Sequence, residues 1–545
     1  MSRNANAPNP LCRAVDRMAQ VPLLRVFVEA FQGKSRASDA MLLLLSFSCV
    51  AVAIFAIRKV GAYDTDGWWI LATGREILEN GIPHVCTWAV EGMYPVVIQQ
   101  WLHDVIAYST YVHWGYAGVD LYAMALAGVA AVAVYASVRF LSNGKAAVAS
   151  CVATACLGIS GIGIYMSIRP TMFSVMAFLA VICICVGARR SGKPSLCLLL
   201  PVVVCIHMQF QMSIVALDVM TAAAFLLPWS KTELADGMGR YAKSRLPLLV
   251  CILLMLAASL VNPYGIDGAL YLLRGYSEAA YSGAISEMQP VWKANPFIAF
   301  VWLTVVLVPL LVMAKQGKLP PIPVLVLLLG GLAASALHIR NIWMLTAASM
   351  VLVSFMLRPC SEGRLQLRHP LAGGMALALL CTACMAIAFP LNRQVMPVPD
   401  DEEAVISSWE EGEAVRPLAE RIQADYGEDA KVYVNWELLN AILEWDGLKV
   451  AFDIRPELWI GTDNAGNAIT PYRDFIDSKN DDESLSRYVL SGGWDCYLVP
   501  TSNSGAYAEQ FALKEVTTSG QFSLMEPTEI TEMYERMLKN GTEGE

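Results

Sequence analysis

Charge is scarce in this sequence. Of 545 residues only 16% are Asp, Glu, Lys or Arg, while 56% are hydrophobic, and that balance excludes an ordinary soluble chain. No basic patch lies outside the short loops, which argues against nucleic acid as a partner. No CxxC pair has further ligands at zinc-site spacing; Cys381 and Cys384 have the interval but sit inside an apolar run. A clear internal repeat is lacking. The first apolar run, after the basic residues Arg13, Arg17, Arg25, Lys34 and Arg36, has no evident cleavage site. It reads as a retained signal-anchor helix rather than a removed signal peptide.

The charge that is present is unevenly divided. Residues 1–390 carry a net +10 and residues 391–545 a net −19. The expected organisation is a cytoplasmic segment 1–39, a basic membrane body 40–390 and an acidic extracytoplasmic α/β domain 391–545. Most of the 14 cysteines fall in apolar runs, where they behave as small hydrophobes. Cys86 and Cys496 are the two expected to face outside, so a disulfide between them is one option.

A bilayer-spanning helix needs roughly 20 apolar residues. Eleven candidates occur, near 40–57, 115–141, 146–165, 171–188, 195–207, 212–229, 246–261, 297–314, 320–337, 341–357 and 371–389. The fifth and sixth are short and read as a tight pair bent at His207–Met212. With a cytoplasmic N-terminus, one set of loops (142–145, 189–193, 231–245, 315–318, 358–369) holds nearly all clustered Lys and Arg, as the positive-inside rule requires. An odd number of spans then puts the acidic tail outside.

The opposite loop set collects the unusual polar residues. Asp64 and Asp66 follow the first span directly, in the loop 58–114, ahead of an amphipathic run. Asp is a favoured helix N-cap, so capping is the plain reading. The chemical reading is a general base toward an acceptor hydroxyl, or a hard-oxygen pair for a divalent cation such as Mg2+ or Mn2+. His103 and Asp104 open the next helix, as caps or as added ligands. Arg169 and Arg340 sit at outer helix ends, placed either to snorkel to headgroups or to clamp a phosphate with the guanidinium fork. His207 and Gln209 form a polar outer turn and are candidate substrate contacts, and His338 beside Arg340 is placed either to assist the phosphate or as a satisfied polar residue. Glu287 is a second candidate acid. Trp68, Trp69, Trp88 and Trp101 read as interfacial anchors. Asp218 is the main ionisable group deeper in a span.

In the tail, β-like runs at 431–436, 448–453, 494–500 and 522–525 alternate with helical stretches near 437–445, 483–490, 505–513 and 528–539. That alternation predicts a small α/β sandwich. No phosphate-binding glycine loop occurs in it.

Asp64-Thr-Asp66-Gly-Trp-Trp-Ile-Leu-Ala-Thr-Gly74-Arg75, Asn80-Gly-Ile-Pro83-His and Gln99-Gln-Trp101-Leu together resemble a group of bacterial multi-pass membrane glycosyltransferases of the GT-C superfamily. Asn262-Pro-Tyr-Gly265, His338-Ile-Arg340-Asn341, Val432-Tyr-Val-Asn-Trp436 and Val450-Ala-Phe-Asp453-Ile-Arg455 resemble later signatures of that group. Two places depart from its pattern: His84-Val-Cys86 where an Asp-containing run is usual, and Ile206-His-Met-Gln209 without a preceding Asn.

The resemblance implies an α-helical GT-C body in a bacterial plasma membrane and a polyprenyl-phosphate-linked sugar as donor. It implies a catalytic acid at Asp64 or Asp66 in the first extracytoplasmic loop. The acceptor would be an extracytoplasmic glycan, lipid or protein. Two other readings stand beside it. A transporter or flippase for a lipid-linked glycan predicts repeats and mid-membrane polar groups. A non-catalytic scaffold would tolerate loss of both aspartates.

Overall fold

The structure is a computed structural model. It describes residues 66–90, 95–142, 168–229, 238–271, 320–357, 409–451 and 481–542, with isolated positions elsewhere. Asp64 and Glu287 lie outside these, as do the expected spans near 40–57, 146–165 and 371–389 and, apart from single positions, the one near 297–314. The chain divides into two compact units.

The first unit comprises 1–57, 123–261 and 286–396 and is built of apolar helices. Numbering helices in chain order, α1 (Gly67–Asn80) belongs to the other unit, and the unit boundary falls within α2 (Trp101–Leu141). The helices that follow are α3 (Thr171–Ser191), α4 (Leu199–Phe210), α5 (Val215–Ala224), α6 (Met238–Ala258), α7 (Ile322–Leu337) and α8 (Ile342–Leu357). Among the described residues, α2 and α3 are long and apolar enough to cross a bilayer; α4, α5, α7 and α8 are shorter apolar helices. The expected bent pair is present. α4 stops at Phe210, Gln211 adopts an extended conformation, and a 3-10 turn at Met212–Ile214 leads into α5. On and just beyond α6, Leu246, Leu249, Val250, Leu253, Leu254, Leu256, Leu260 and Val261 are exposed. So continuous an apolar face suits hydrocarbon rather than water.

The second unit comprises 58–122, 262–285 and 397–545. It unites the loop after the first span with the acidic tail. The tail contributes α9 (Arg416–Tyr426), β1 (Val432–Val434), α10 (Glu437–Trp445), α11 (Asp482–Ser491), β2 (Cys496–Pro500), α12 (Thr501–Phe511), β3 (Lys514–Ser519), β4 (Phe522–Glu526) and α13 (Glu529–Thr542). The sheet order is β1-β2-β4-β3, with β1 parallel to β2 and the other pairs antiparallel. β1 and β2 are buried throughout, so they read as apolar runs, as expected of strands covered on both faces. β3 was not expected. Its residues Lys-Glu-Val-Thr-Thr-Ser form an exposed edge, and a polar edge strand carries no alternation to betray it.

The loop joins this α/β layer through backbone pairing. Ala89 bridges Val450 in parallel, Val90 N–H donates to Val450 O at 2.9 Å, and Val450 N–H donates to Trp88 O at 2.8 Å. The run expected as a strand at 448–453 is thus, within the described residues, a single bridge to the loop. Cys86 and Cys496 are both buried free thiols, so the disulfide considered between them is not formed.

Candidate active site

In the loop-and-tail unit, Asp66 stands at the N-cap of α1. Its backbone carbonyl accepts from Ile70 N at 3.1 Å, but its carboxylate makes no capping bond. Capping by the side chain, the plain reading of this residue, is therefore not what the carboxylate does.

Two residues on, Trp68 is fully buried, 0% exposed. Its ring meets Trp409 edge-on at 4.9 Å, Tyr116 at 5.8 Å and Trp445 at 6.5 Å. Trp68 is a core residue rather than an interfacial anchor, and Trp88 is likewise buried. Burying a Trp removes about 200 Å2 from water, an upper estimate of roughly 5 kcal/mol. The fit leaves no slack. A Cβ added at Gly412 would lie 2.0 Å from the Trp68 ring, and Trp68 Nε1 is buried with no hydrogen-bond partner among the described residues.

Nearly two turns along α1, a Cβ on Gly74 would meet the Asp104 carbonyl at 2.2 Å. Only glycine lets α1 lie this close to the start of α2. The Arg75 guanidinium then donates to the carbonyls of Trp445 at 2.8 Å and Glu444 at 3.0 Å, and it lies 4.9 Å from the centre of the Trp445 ring. These carbonyls end α10, where a cation is favoured. Thus Trp68 and Arg75 dock α1 onto the tail, and Gly74 packs it against α2.

Polar groups ring the aromatic cluster. The Tyr116 hydroxyl donates to Glu413 and accepts from Trp445 Nε1 at 3.2 Å. Arg416 donates to Glu413 at 2.7 Å and to Asp446 Oδ1 at 3.2 Å. Asp446 Oδ2 is buried without a hydrogen-bond partner among the described residues. Burial pushes this carboxyl up to about 6, against the pull of Arg416.

His103 and Asp104 are fully buried. His103 Nδ1 pairs with the Tyr122 hydroxyl at 2.8 Å, and Gln100 Nε2 donates to Asp104 Oδ1 at 2.9 Å. Two of the sequence signatures meet in this unit. The Tyr264 hydroxyl donates to Pro83 O at 2.9 Å and its ring lies 5.0 Å from that of His84. Asn262 shapes that approach: Oδ1 accepts from Tyr264 N at 2.8 Å and Nδ2 donates to Gly265 O at 2.9 Å. The Asn-Pro-Tyr-Gly segment is more than a helix stop.

In the apolar-helix unit, Arg169 is half-buried just before Pro170, the N-cap of α3. Arg340 is half-buried in a 3-10 turn, Ile339–Asn341, after His338, the C-cap of α7. Asn341 Nδ2 donates back to Ala334 O at 3.3 Å. Gln209 Nε2 donates to Cys205 O at 2.8 Å and Val261 O at 2.6 Å. His207 is buried with both ring nitrogens engaged: Nδ1 with Asp218 Oδ2 at 2.6 Å and Nε2 with Ser174 Oγ at 2.9 Å. Ser174 Oγ in turn donates to Gln211 Oε1 at 2.5 Å. The role of Ser174 was not anticipated, because a serine in an apolar helix gives no sign of a partner 33 residues away.

Among the described residues, no three His, Cys, Asp or Glu side chains are placed to share a metal ion. Asp64, the partner of Asp66 in the expected cation pair, is not described.

No known family model matches the sequence, and no characterised protein matches it at the sequence level. The likeness is one of fold. The oligosaccharyltransferase of Archaeoglobus fulgidus, tethered to an acceptor peptide containing the NVT sequon, superposes with a TM-score of 0.54 at 11% identity. It covers 87% of this chain and 70% of its own. The same archaeal enzyme, AglB, in complex with an inhibitory peptide and a dolichol-phosphate gives 0.52 at 11% identity, with 86% and 70% covered. ArnT from Cupriavidus metallidurans bound to undecaprenyl phosphate aligns more loosely, at 0.44 with 11% identity, over 88% of this chain and 98% of that one; nothing below rests on it. Over most of its length the chain shares the fold of the archaeal oligosaccharyltransferase.

Proposed function

We propose that this chain is a membrane glycosyltransferase that moves a sugar from a polyprenyl-phosphate-linked donor to an extracytoplasmic glycan, lipid or protein acceptor. The observation that carries this reading is the fold shared with AglB over most of the chain, in an enzyme whose structures hold dolichol-phosphate and an acceptor peptide. The place of Asp66 supports it: a carboxylate stands at the start of the helix that follows the first expected span.

In this reading Asp64 or Asp66 accepts the proton of the acceptor hydroxyl. The oxygen attacks the anomeric carbon, the bond to the phosphate oxygen breaks, and polyprenyl phosphate leaves. A single displacement inverts the anomeric centre. Arg169 and Arg340 neutralise the phosphate charge that grows as that bond breaks. His338, Gln209 and Glu287 are the further substrate contacts. His103, Asp104 and His207, each hydrogen-bonded to another side chain, act as positioning residues. A divalent cation on Asp64 and Asp66 is the second role open to the pair, and no step here is routed through it. The topology that goes with this function has a cytoplasmic segment 1–39, a body 40–390 in a bacterial plasma membrane, and an extracytoplasmic tail 391–545.

The test is sugar transfer by the purified protein from a panel of polyprenyl-phosphate sugars, with and without EDTA. Wild type is compared with Asp64→Asn and Asp66→Asn. Transfer that survives in both variants, alone and combined, removes the acid pair from the mechanism. Absence of transfer with every donor, alongside movement of lipid-linked glycan across vesicles, would replace the enzyme with a transporter.

A further inference from the structure

The buried array Ser174–His207–Asp218–Gln211 belongs to no step above. It ties together the first turn of α3, the end of α4, the extended residue between α4 and α5, and the start of α5. An ionisable pair buried among apolar helices is expensive, and hydrophobic side chains of similar volume would hold three helices together at less cost. Such groups inside a membrane protein mark function. The array has the connectivity of a serine–histidine–carboxylate triad, but Ser174 is buried and its hydroxyl donates to Gln211. It is not presented as a nucleophile.

Its position gives its use. Pro170 joins Arg169 rigidly to α3, since the proline ring fixes its φ, here −75°, and Ser174 lies in the first turn that follows. The Asp218 carboxylate orients the His207 ring, the ring sets Ser174, and Ser174 sets the rotation and height of the first turn of α3. Gln209 pins the same end of α4 to Val261. A shift of about 1 Å in a charged clamp is enough to weaken its action on a substrate.

We propose that Ser174, His207, Asp218 and Gln211 form a positioning array that holds Arg169 at the site for the donor's lipid phosphate. This rests on the reading of Arg169 as a phosphate clamp given above.

The experiment is equilibrium binding of undecaprenyl phosphate to the full chain in nanodiscs. It compares wild type, Arg169→Gln, Asp218→Asn, Ser174→Ala, Ser174→Thr and the double variant Arg169→Gln/Asp218→Asn, with sugar-transfer rates measured in parallel. We expect Arg169→Gln and Asp218→Asn each to weaken binding about tenfold, and the double variant to bind no more weakly than Arg169→Gln alone. Ser174→Ala should weaken binding and Ser174→Thr, which keeps the hydroxyl, should restore it. In the transfer assay the array variants should raise the donor KM and lower kcat, in the same proportion as Arg169→Gln does, because Arg169 also meets the charge that grows on the phosphate. Losses that multiply in the double variant would overturn the proposal, as would Asp218→Asn and Ser174→Ala binding as wild type does. If Asp218→Asn does not fold, the two Ser174 variants decide the question alone. A wild type that binds lipid phosphate with this coupling but transfers no sugar refutes the proposed enzyme and leaves the array standing. A wild type that transfers sugar with an uncoupled array refutes only the array.

Discussion

In the loop-and-tail unit, the Arg416 side chain is 42% exposed and is divided between Glu413 and Asp446, itself 3% exposed with one oxygen unpartnered. In the apolar-helix unit, His207 and Asp218 are each 1% exposed, and the His207 ring is fully engaged. The first is a polar rim around an aromatic core, partly exposed. The second is a closed circuit buried among apolar helices. A buried polar group is tolerated in a helix bundle only when its bonds are made inside the bundle, whereas a rim can leave an oxygen unmet and let protonation relieve it.

That contrast can be broken at several points. The largest effect belongs to Asp66. Asp66→Asn should lower sugar transfer about 10²–10⁴-fold, the range for loss of a general base, while the protein stays folded. A matching fall in melting temperature would make Asp66 a structural residue. Next, Asp218→Ala should destabilise the protein by about 3–5 kcal/mol, as expected when one partner of a buried pair is removed. Arg416→Ala should cost only about 1 kcal/mol, since its guanidinium is well exposed. Thermal unfolding of the two in the same detergent gives the comparison directly, and equal losses would erase the distinction between rim and circuit.

A smaller effect is pH-dependent. With its pKa pushed up to about 6 from a usual 3.8, Asp446 holds a proton in the folded state that the unfolded chain has already released. Stability from this group is therefore greatest below pH 3.8, falls as pH rises through the window from 3.8 to about 6, and is level above it. Glu413 reinforces the upward shift, and Arg75 opposes it. Asp446→Asn should flatten that stretch of a melting-temperature profile; an unchanged slope would assign it to another group. The smallest effect is expected at Tyr264→Phe, which removes one hydrogen bond to Pro83 and should cost about 1 kcal/mol with little change in transfer.

Much of the architecture could be read from local pattern. Long apolar runs marked α2, α3 and α6, and a polar turn marked the break at Gln211. Short apolar β-like runs marked β1, β2 and β4, because each of these features is a property of neighbouring residues. β3 escaped notice since an exposed edge strand needs no apolar side chains. At the candidate site, residue type pointed to Asp66, Arg169 and Arg340, since carboxylates and guanidinium groups are uncommon in so apolar a chain. The same scarcity drew attention to His207, His103 and Asp104, but nothing local told that their polar atoms are engaged by Ser174, Tyr122 and Gln100.

By itself, then, the sequence determined a helical membrane body, an acidic α/β tail and the positions where chemistry could occur. Only the tertiary structure decided that the first loop and the tail form one unit. It is likewise the tertiary structure that puts Trp68 in that unit's core and lets Tyr264 reach Pro83. The physical reason is range. Helix periodicity and hydropathy act over one or two turns, whereas Arg75 finds the end of α10 across 370 residues, and such a pairing is selected by shape and unmet carbonyls that exist only once the chain has folded.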